Sequence, residues 1–129
     1  MDVSIVIRTK NEAHFIGETL KRIQEQNFDG NYEIIIVDSG STDSTVEIVR
    51  KYGVRLVEIS EKEFTYGRSL NVGASSARHD VIVNLSAHAI PKESTWLKRL
   101  TSAFSDDNVA GVYGRQLSVS YTHLTLPTN

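Results

Sequence analysis

With 129 residues, a 40% apolar share and 23% charged residues, the chain has the length and composition of one small folded domain with a real core. Its net charge of −2 and lack of a basic cluster argue against a nucleic-acid or anionic-membrane partner. Absent cysteine excludes disulfides and thiolate zinc sites; the start MDVSIVIRTK is too short and charged for a signal peptide, and no apolar run nears the roughly 20 residues of a membrane span, so the expected setting is cytoplasmic.

In chain order, VSIVI (residues 3–7) is a β-branched run that reads as a buried strand. Ala13, Ile16, Leu20 and Ile23 then mark one stripe of a helix, with Thr9 or Asn11 as candidate caps. YEIIIVD (32–38) is a second buried strand, followed by the turn-rich SGSTDST. Ser44 and Glu47 have capping-box spacing, and Gly53 suits the end of the helix they open. RLVEI (55–59) reads as a half-buried third strand, 60–66 as a loop and 68–78 as a short helix. VIVNL (81–85) reads as a fourth, buried strand. A helix carrying Leu97, Leu100 and Phe104 on one face follows, with Ser94 as its cap, and VAGVY (109–113) reads as a fifth strand.

Strands alternating with helices predict an α/β domain whose sheet is mostly parallel and flanked by helices. Ligands of such sheets bind at the carboxyl ends of the strands. Three polar clusters fall there: Thr9 to Glu12, Asp38 to Asp43, and Ser86 to His88. The turn after the first strand is RTKNE, which lacks glycine, so the dinucleotide fingerprint fails, and there is no phosphate loop. A phosphorylated ligand would then need another source of positive charge, and a divalent metal with hard oxygen ligands is the usual one. A serine hydrolase built from Ser86 or Ser39, His88 and Asp38 lacks the nucleophile-elbow sequence.

VSIVIRTKNEAHFIGETLKRI followed by YEIIIVDSGSTDSTVEIV resembles the start of a family 2 glycosyltransferase. The resemblance covers about residues 2–115 and implies the A-type, Rossmann-like nucleotide-diphospho-sugar transferase fold, incomplete at the C-terminus. It implies transfer of a sugar from a nucleoside-diphosphate donor, UDP- or dTDP-linked, to a hydroxyl of a glycan or lipid-linked acceptor, usually with inversion. The alternative is a nucleotide-sugar-binding module without turnover. FTYGRSLNVG, with its Phe64, Tyr66, Gly67 and Asn71, is similar to rhamnosyltransferase-like members. In such a protein Thr9, Asn11 and Glu12 would line the nucleoside pocket, and Asp38 would accept a hydrogen bond from the pyrimidine. Arg68, Asn71 and Ser86 would complete the nucleotide site. Asp43 reads as a residue of the helix start.

The family usually ends its fourth strand with Asp-x-Asp, whose last carboxylate holds manganese or magnesium. Here Ser86 and His88 stand at those positions. His88 could ligate the metal, donate directly to the diphosphate, or mark a disabled site. The family's catalytic base lies further downstream, and no Asp or Glu follows Arg115. Residues 1–117 therefore read as the donor-binding part, GVYGRQ (111–116) as the lead into the acceptor half, and the whole protein as cytoplasmic with peripheral membrane contact as an option. Residues 118–129 read as a non-native or truncated tail, whose last ten residues, SYTHLTLPTN, resemble translated sequencing-adapter read-through, against the alternative of a native edge strand on Tyr121, His123 and Thr125.

Overall fold

In a computed structural model, which describes residues 1–112 and 114, Val3, Ile5 and Ile7 project to one face of a sheet and Val6 to the other. Both faces are covered, which is why the first strand reads as a near-continuous apolar run, interrupted by the buried Ser4, rather than an alternating one. The strands are β1 (Val3–Thr9), β2 (Tyr32–Asp38), β3 (Arg55–Glu58) and β4 (Val81–Ser86). The helices are α1 (Ile16–Gln24), α2 (Thr45–Lys51), α3 (Tyr66–Ser76) and α4 (Trp96–Thr101). The sheet order is β3-β2-β1-β4, and all three pairings are parallel.

The larger core gathers Val3, Ile5, Ile7, Ile34 and Ile36 of the sheet with Ile16, Leu20 and Ile23 of α1, Val49 of α2 and Leu97 of α4. The opposite face is thinner: Val6, Ile35 and Val37 meet Val72 and Ala77 of the α3 segment. There the helix backbone comes very close, because a Cβ on Gly73 would lie 2.3 Å from Val6 Cγ1.

Several local expectations change. α1 begins at Ile16 behind a turn in which Glu12 C=O accepts from the N–H groups of Phe15 and Ile16, so neither Thr9 nor Asn11 caps it. Both are spent on the neighbouring loop described below. α2 starts after Ser44 without a side-chain cap bond from it, so the capping box does not form. Asp43 Oδ1 takes the Thr45 N–H at 3.0 Å instead. α3 begins two residues before the expected start, because Thr65 Oγ1 accepts the Arg68 N–H at 3.0 Å. α4 is shorter than its apolar stripe suggests. It begins after Thr95, not Ser94, and tightens into a 3-10 turn at Ser102–Ser105 that holds the half-buried Phe104.

β4 is not fully buried. Val83 is covered, whereas Ile82 and Asn84 are exposed, since β1 is its one partner among the described residues. The expected fifth strand does not form over 109–112. Asp106 C=O accepts the Val109 N–H and closes a turn there, and no strand pairs with it among the described residues. Tyr113 and residues 115–129, which include half of GVYGRQ and the tail, lie outside the described residues.

At the amino ends of the strands Glu33 ties together β1, β3 and the turn that follows α3. It accepts from Ser4 Oγ at 2.6 Å, Arg55 Nη1 at 2.9 Å and the Arg78 N–H at 2.7 Å. Burial opposes its charge, but the bonds from Ser4, Arg78 and Arg55 outweigh burial and bring the carboxyl to about 2, from 4.5 in an ordinary glutamate. A folded pKa below the unfolded one means the contribution is present above pH 4.5 and is lost as pH falls toward 2. Glu33→Gln is expected to lower stability by about 1–2 kcal/mol at pH 7, with the gap to wild type closing as urea melts are repeated toward pH 2. A gap that stays constant with pH would contradict this.

Candidate active site

The order β3-β2-β1-β4 places the chain reversal between β1 and β4. From β1 the chain first moves outward through β2 and β3, then returns to the other side of β1. α1 and α4 lie on one face and α3 on the other, so the loops leaving β1 and β4 turn the same way and border a crevice at the carboxyl ends of the two strands, where such sheets bind ligands. Two of the three polar clusters border that crevice directly.

The loop after β1 is tied to the loop after β2 at almost every residue. Thr9 Oγ1 donates to Asp38 Oδ1 at 2.6 Å. Asp38 also accepts from the N–H groups of Gly40 at 3.1 Å and Ser41 at 2.9 Å, and from the Ser41 hydroxyl. Asn11 stands at φ 55, a left-handed position that asparagine tolerates. Its Oδ1 accepts from Thr42 N at 2.7 Å and Asp43 N at 3.2 Å, while its own N–H reaches Ser41 Oγ at 2.8 Å. Lys10 Nζ donates to the carbonyls of Ser39 and Gly40 and pairs with Glu61 at 3.3 Å. Asp43, held below the usual carboxylate range by the Thr45 hydroxyl and backbone, also takes the Ala13 N–H at 3.2 Å.

This geometry bears on two sequence expectations. Asp38 is 2% exposed and receives four donors, which fill the four acceptor positions of a carboxylate. Asp38 thus builds the loop. Asn11 likewise spends its carbonyl on the neighbouring loop.

At the end of β4, Ser86 and His88 lean outward while Ala87 between them is buried. Thr19 of α1 fixes that arrangement by donating its hydroxyl to Ala87 O at 2.6 Å. The turn closes with Ala89 N–H on Ser86 O at 3.0 Å. Ser86 Oγ lies 3.4 Å from His88 Nδ1 and 3.2 Å from Nε2. Both nitrogens are within hydrogen-bond distance of this hydroxyl, and the tautomer of the ring decides which role each plays. Across the crevice, Glu12 Oε1 is 3.4 Å from His88 Nδ1, and the Phe15 ring is 6.1 Å away. The sequence brings Glu12 and His88 together only through the fold, as they lie on different loops.

Arg68 and Asn71 sit elsewhere. They line an open cleft of about 590 Å³ along α3 with Thr65, Gly67, Val72 and Ser75. α3 runs back against the strands, so its first turn, with Arg68, is at the carboxyl-end rim and Asn71 is one turn below. Arg8 stacks over the exposed ring of Tyr66 at 4.8 Å, which links the end of β1 to this rim. Sequence reasoning used Tyr66 only as part of a family motif and did not single out Phe15; exposed aromatics next to the polar clusters were the available signal. A second cavity of about 230 Å³, lined by Met1, Phe28, Lys98 and Ser102 among others, lies at the opposite, amino end of the sheet. Among the described residues no three His, Cys, Asp or Glu side chains gather as a metal cage, and no helix is long and apolar enough to cross a membrane.

The family profile of Glycosyl transferase family 2 matches residues 4–126. The chain belongs to glycosyl transferase family 2. Over 86 residues it is 41% identical to the O-antigen chain rhamnosyltransferase WbaN of Salmonella anatum, covering 66% of this chain and 27% of that protein. It is 33% identical over 119 residues to the O-antigen chain rhamnosyltransferase RfbN of Salmonella typhimurium, covering 91% and 38%. These relatives bear out the rhamnosyltransferase-like branch read from Phe64, Tyr66, Gly67 and Asn71. The chain thus spans well under half the length of either relative. Its fold is that of the A-type glycosyltransferases. Mannosyltransferase PcManGT from Pyrobaculum calidifontis, solved with GDP-Man and Mn2+, superposes with a TM-score of 0.74 at 30% identity, over 83% of this chain and 33% of that one.

Proposed function

We propose that this family 2 chain is the donor-binding part of an inverting glycosyltransferase that moves a sugar from a UDP- or dTDP-linked donor to a hydroxyl of a glycan or lipid-linked acceptor. The observation that carries this reading is the crevice at the β1/β4 reversal, bordered by Glu12 on one side and by Ser86 and His88 on the other. In the reaction the acceptor oxygen attacks the anomeric carbon from the face opposite the diphosphate. The bond from that carbon to the diphosphate breaks with its electron pair on the leaving oxygen, and the acceptor proton passes to a base. No residue of this chain is assigned as that base. The work proceeds at the cytoplasmic side, with the acceptor half in peripheral contact with the membrane.

The residues divide by what they do. Thr9, Asn11 and Asp38 set the shape of the two loops from behind. Glu12, Ser86 and His88 face the nucleotide, and Arg68 and Asn71 of α3 approach it from the rim. A divalent manganese or magnesium ion would neutralise the leaving diphosphate. His88 fits such an ion: its side chain is 61% exposed and its ring offers a nitrogen ligand beside the Glu12 carboxylate. Manganese is the better match, because imidazole suits transition metals more than magnesium.

Calorimetric titration of the chain with UDP, dTDP and GDP, each with and without manganese, tests the reading. Binding of UDP or dTDP in the micromolar range is expected, strengthened by manganese and weakened by His88→Ala. Failure of every nucleotide to bind in both conditions would sink it. Binding of GDP alone would keep the donor site and overturn the choice of base.

A further inference from the structure

Replacing Asp-x-Asp by Ser86 and His88 removes both carboxylates from the end of β4. A hydroxyl and an imidazole carry no negative charge to offset a divalent cation, and manganese or magnesium is usually held by one or two carboxylates together with substrate phosphates. A carboxylate must come from elsewhere if a cation is to sit beside His88. We propose that Glu12, on the β1–α1 loop, supplies it, so that the cation site spans the crevice instead of lying on β4 alone. This inference rests on the donor-site reading above and names the ligand pair within it.

The geometry fits. Glu12 Oε1 and His88 Nδ1 are 3.4 Å apart. Two adjacent ligand atoms, each about 2.1 Å from an octahedral ion, lie about 3 Å from one another. Glu12 is half-buried and its backbone is fixed from both sides. Its N–H donates to Thr45 Oγ1 at 2.9 Å, and its C=O receives the N–H groups of Phe15 and Ile16. Its Oε1 faces the His88 ring across the two loops. The imidazole is placed with equal care, through the buried Ala87 that Thr19 holds. Two rigid loops thus present one oxygen and one nitrogen to the same point. An ion pair alone explains the contact but not why both carriers are anchored away from the solvent-exposed tips.

The test uses UDP affinity measured by calorimetry at several manganese concentrations, with bound manganese followed by electron paramagnetic resonance. In wild type, manganese should tighten UDP binding at least tenfold, on the order expected when a metal shell is complete. Glu12→Gln, which keeps the shape and removes the charge, should abolish most of that gain, read as the ratio of UDP affinities with and without manganese in the same variant. His88→Ala should do the same, and the double variant should lose no more than either single one. Glu12→Asp, which shortens the reach, should retain part of the gain. A full manganese effect in Glu12→Gln, together with its loss in His88→Ala, would overturn the proposal and leave Glu12 as an ion-pair partner only. Equal UDP affinity with and without manganese in wild type would overturn it while leaving the donor site standing. No nucleotide binding at all would remove both.

Discussion

Gly73→Ala should destabilise the chain by about 2 kcal/mol, although the same change in an ordinary helix stabilises by about 1 kcal/mol. The reason is the approach of α3 to the sheet. An added Cβ would lie 2.3 Å from Val6 Cγ1 and 3.3 Å from Val6 Cβ and Cγ2. Val6 is a fully covered β-branched residue at the middle of β1, with one dominant side-chain position and nowhere to swing. Either α3 lifts from the sheet, exposing Val72, or the strand shifts. Gly67, one and a half turns earlier on the same helix, has nothing within 4 Å of the point an added Cβ would occupy. Gly67→Ala is therefore the control and should be neutral or slightly stabilising. Urea midpoints of the two variants give the comparison. Equal midpoints would show that the close approach of α3 is wrong.

Asp38→Ala should cost about 3 kcal/mol or more, the scale of leaving buried donors without a charged acceptor. Four donors converge on the carboxylate, and Thr9, which supplies one, is itself 2% exposed. Asp38→Asn keeps the shape, but it loses the charge, and its NH₂ group can replace Oδ1 only if the Thr9 and Ser41 hydroxyls turn round to accept. It should recover some of the loss but not all. In both variants the amide protons of Gly40 and Ser41 should exchange with solvent faster. The pattern separates two roles. If Asp38 builds the loop, both variants lose stability even without nucleotide. Unchanged stability together with lost UDP binding would instead restore Asp38 as the group that reads the base.

The sequence carried the parts of the fold whose signal is local. β1 and β2 were readable because covering both faces of a parallel strand demands a near-continuous apolar run. The end of α2 was readable because Gly53, at φ 66, takes a conformation that glycine adopts at little cost. The failures share a cause as well. VIVNL and VAGVY have similar composition, yet β4 forms with one face open and 109–112 forms no strand, because pairing depends on a neighbour that the residues themselves do not name. The capping-box spacing of Ser44 and Glu47 lost to Asp43, which the approach of Ala13 and Thr45 makes the better acceptor.

The candidate site shows the same limit. The sequence located Thr9 to Glu12, Asp38 and Ser86 to His88 at strand ends, and the fold put them there. It could not count donors on Asp38, since Thr9 arrives from 29 positions away. Nor could it pair Glu12 with His88 or foresee that Thr19 would hold Ala87 between the two outward side chains. The departure at Ser86 and His88 was visible at once; what compensates for it depends on the crossing of two loops.

Whether a nucleoside diphosphate binds in the crevice between β1 and β4 decides most of what is proposed for this chain. The most direct measurement follows a UDP titration residue by residue, by amide chemical shifts in the presence of magnesium. The largest shifts are expected at Thr9 to Glu12 and at Ser86 to Ala89, with smaller ones at the first turn of α3. Shifts gathered instead around Met1, Phe28 and Ser102, at the amino end of the sheet, would contradict binding in the crevice.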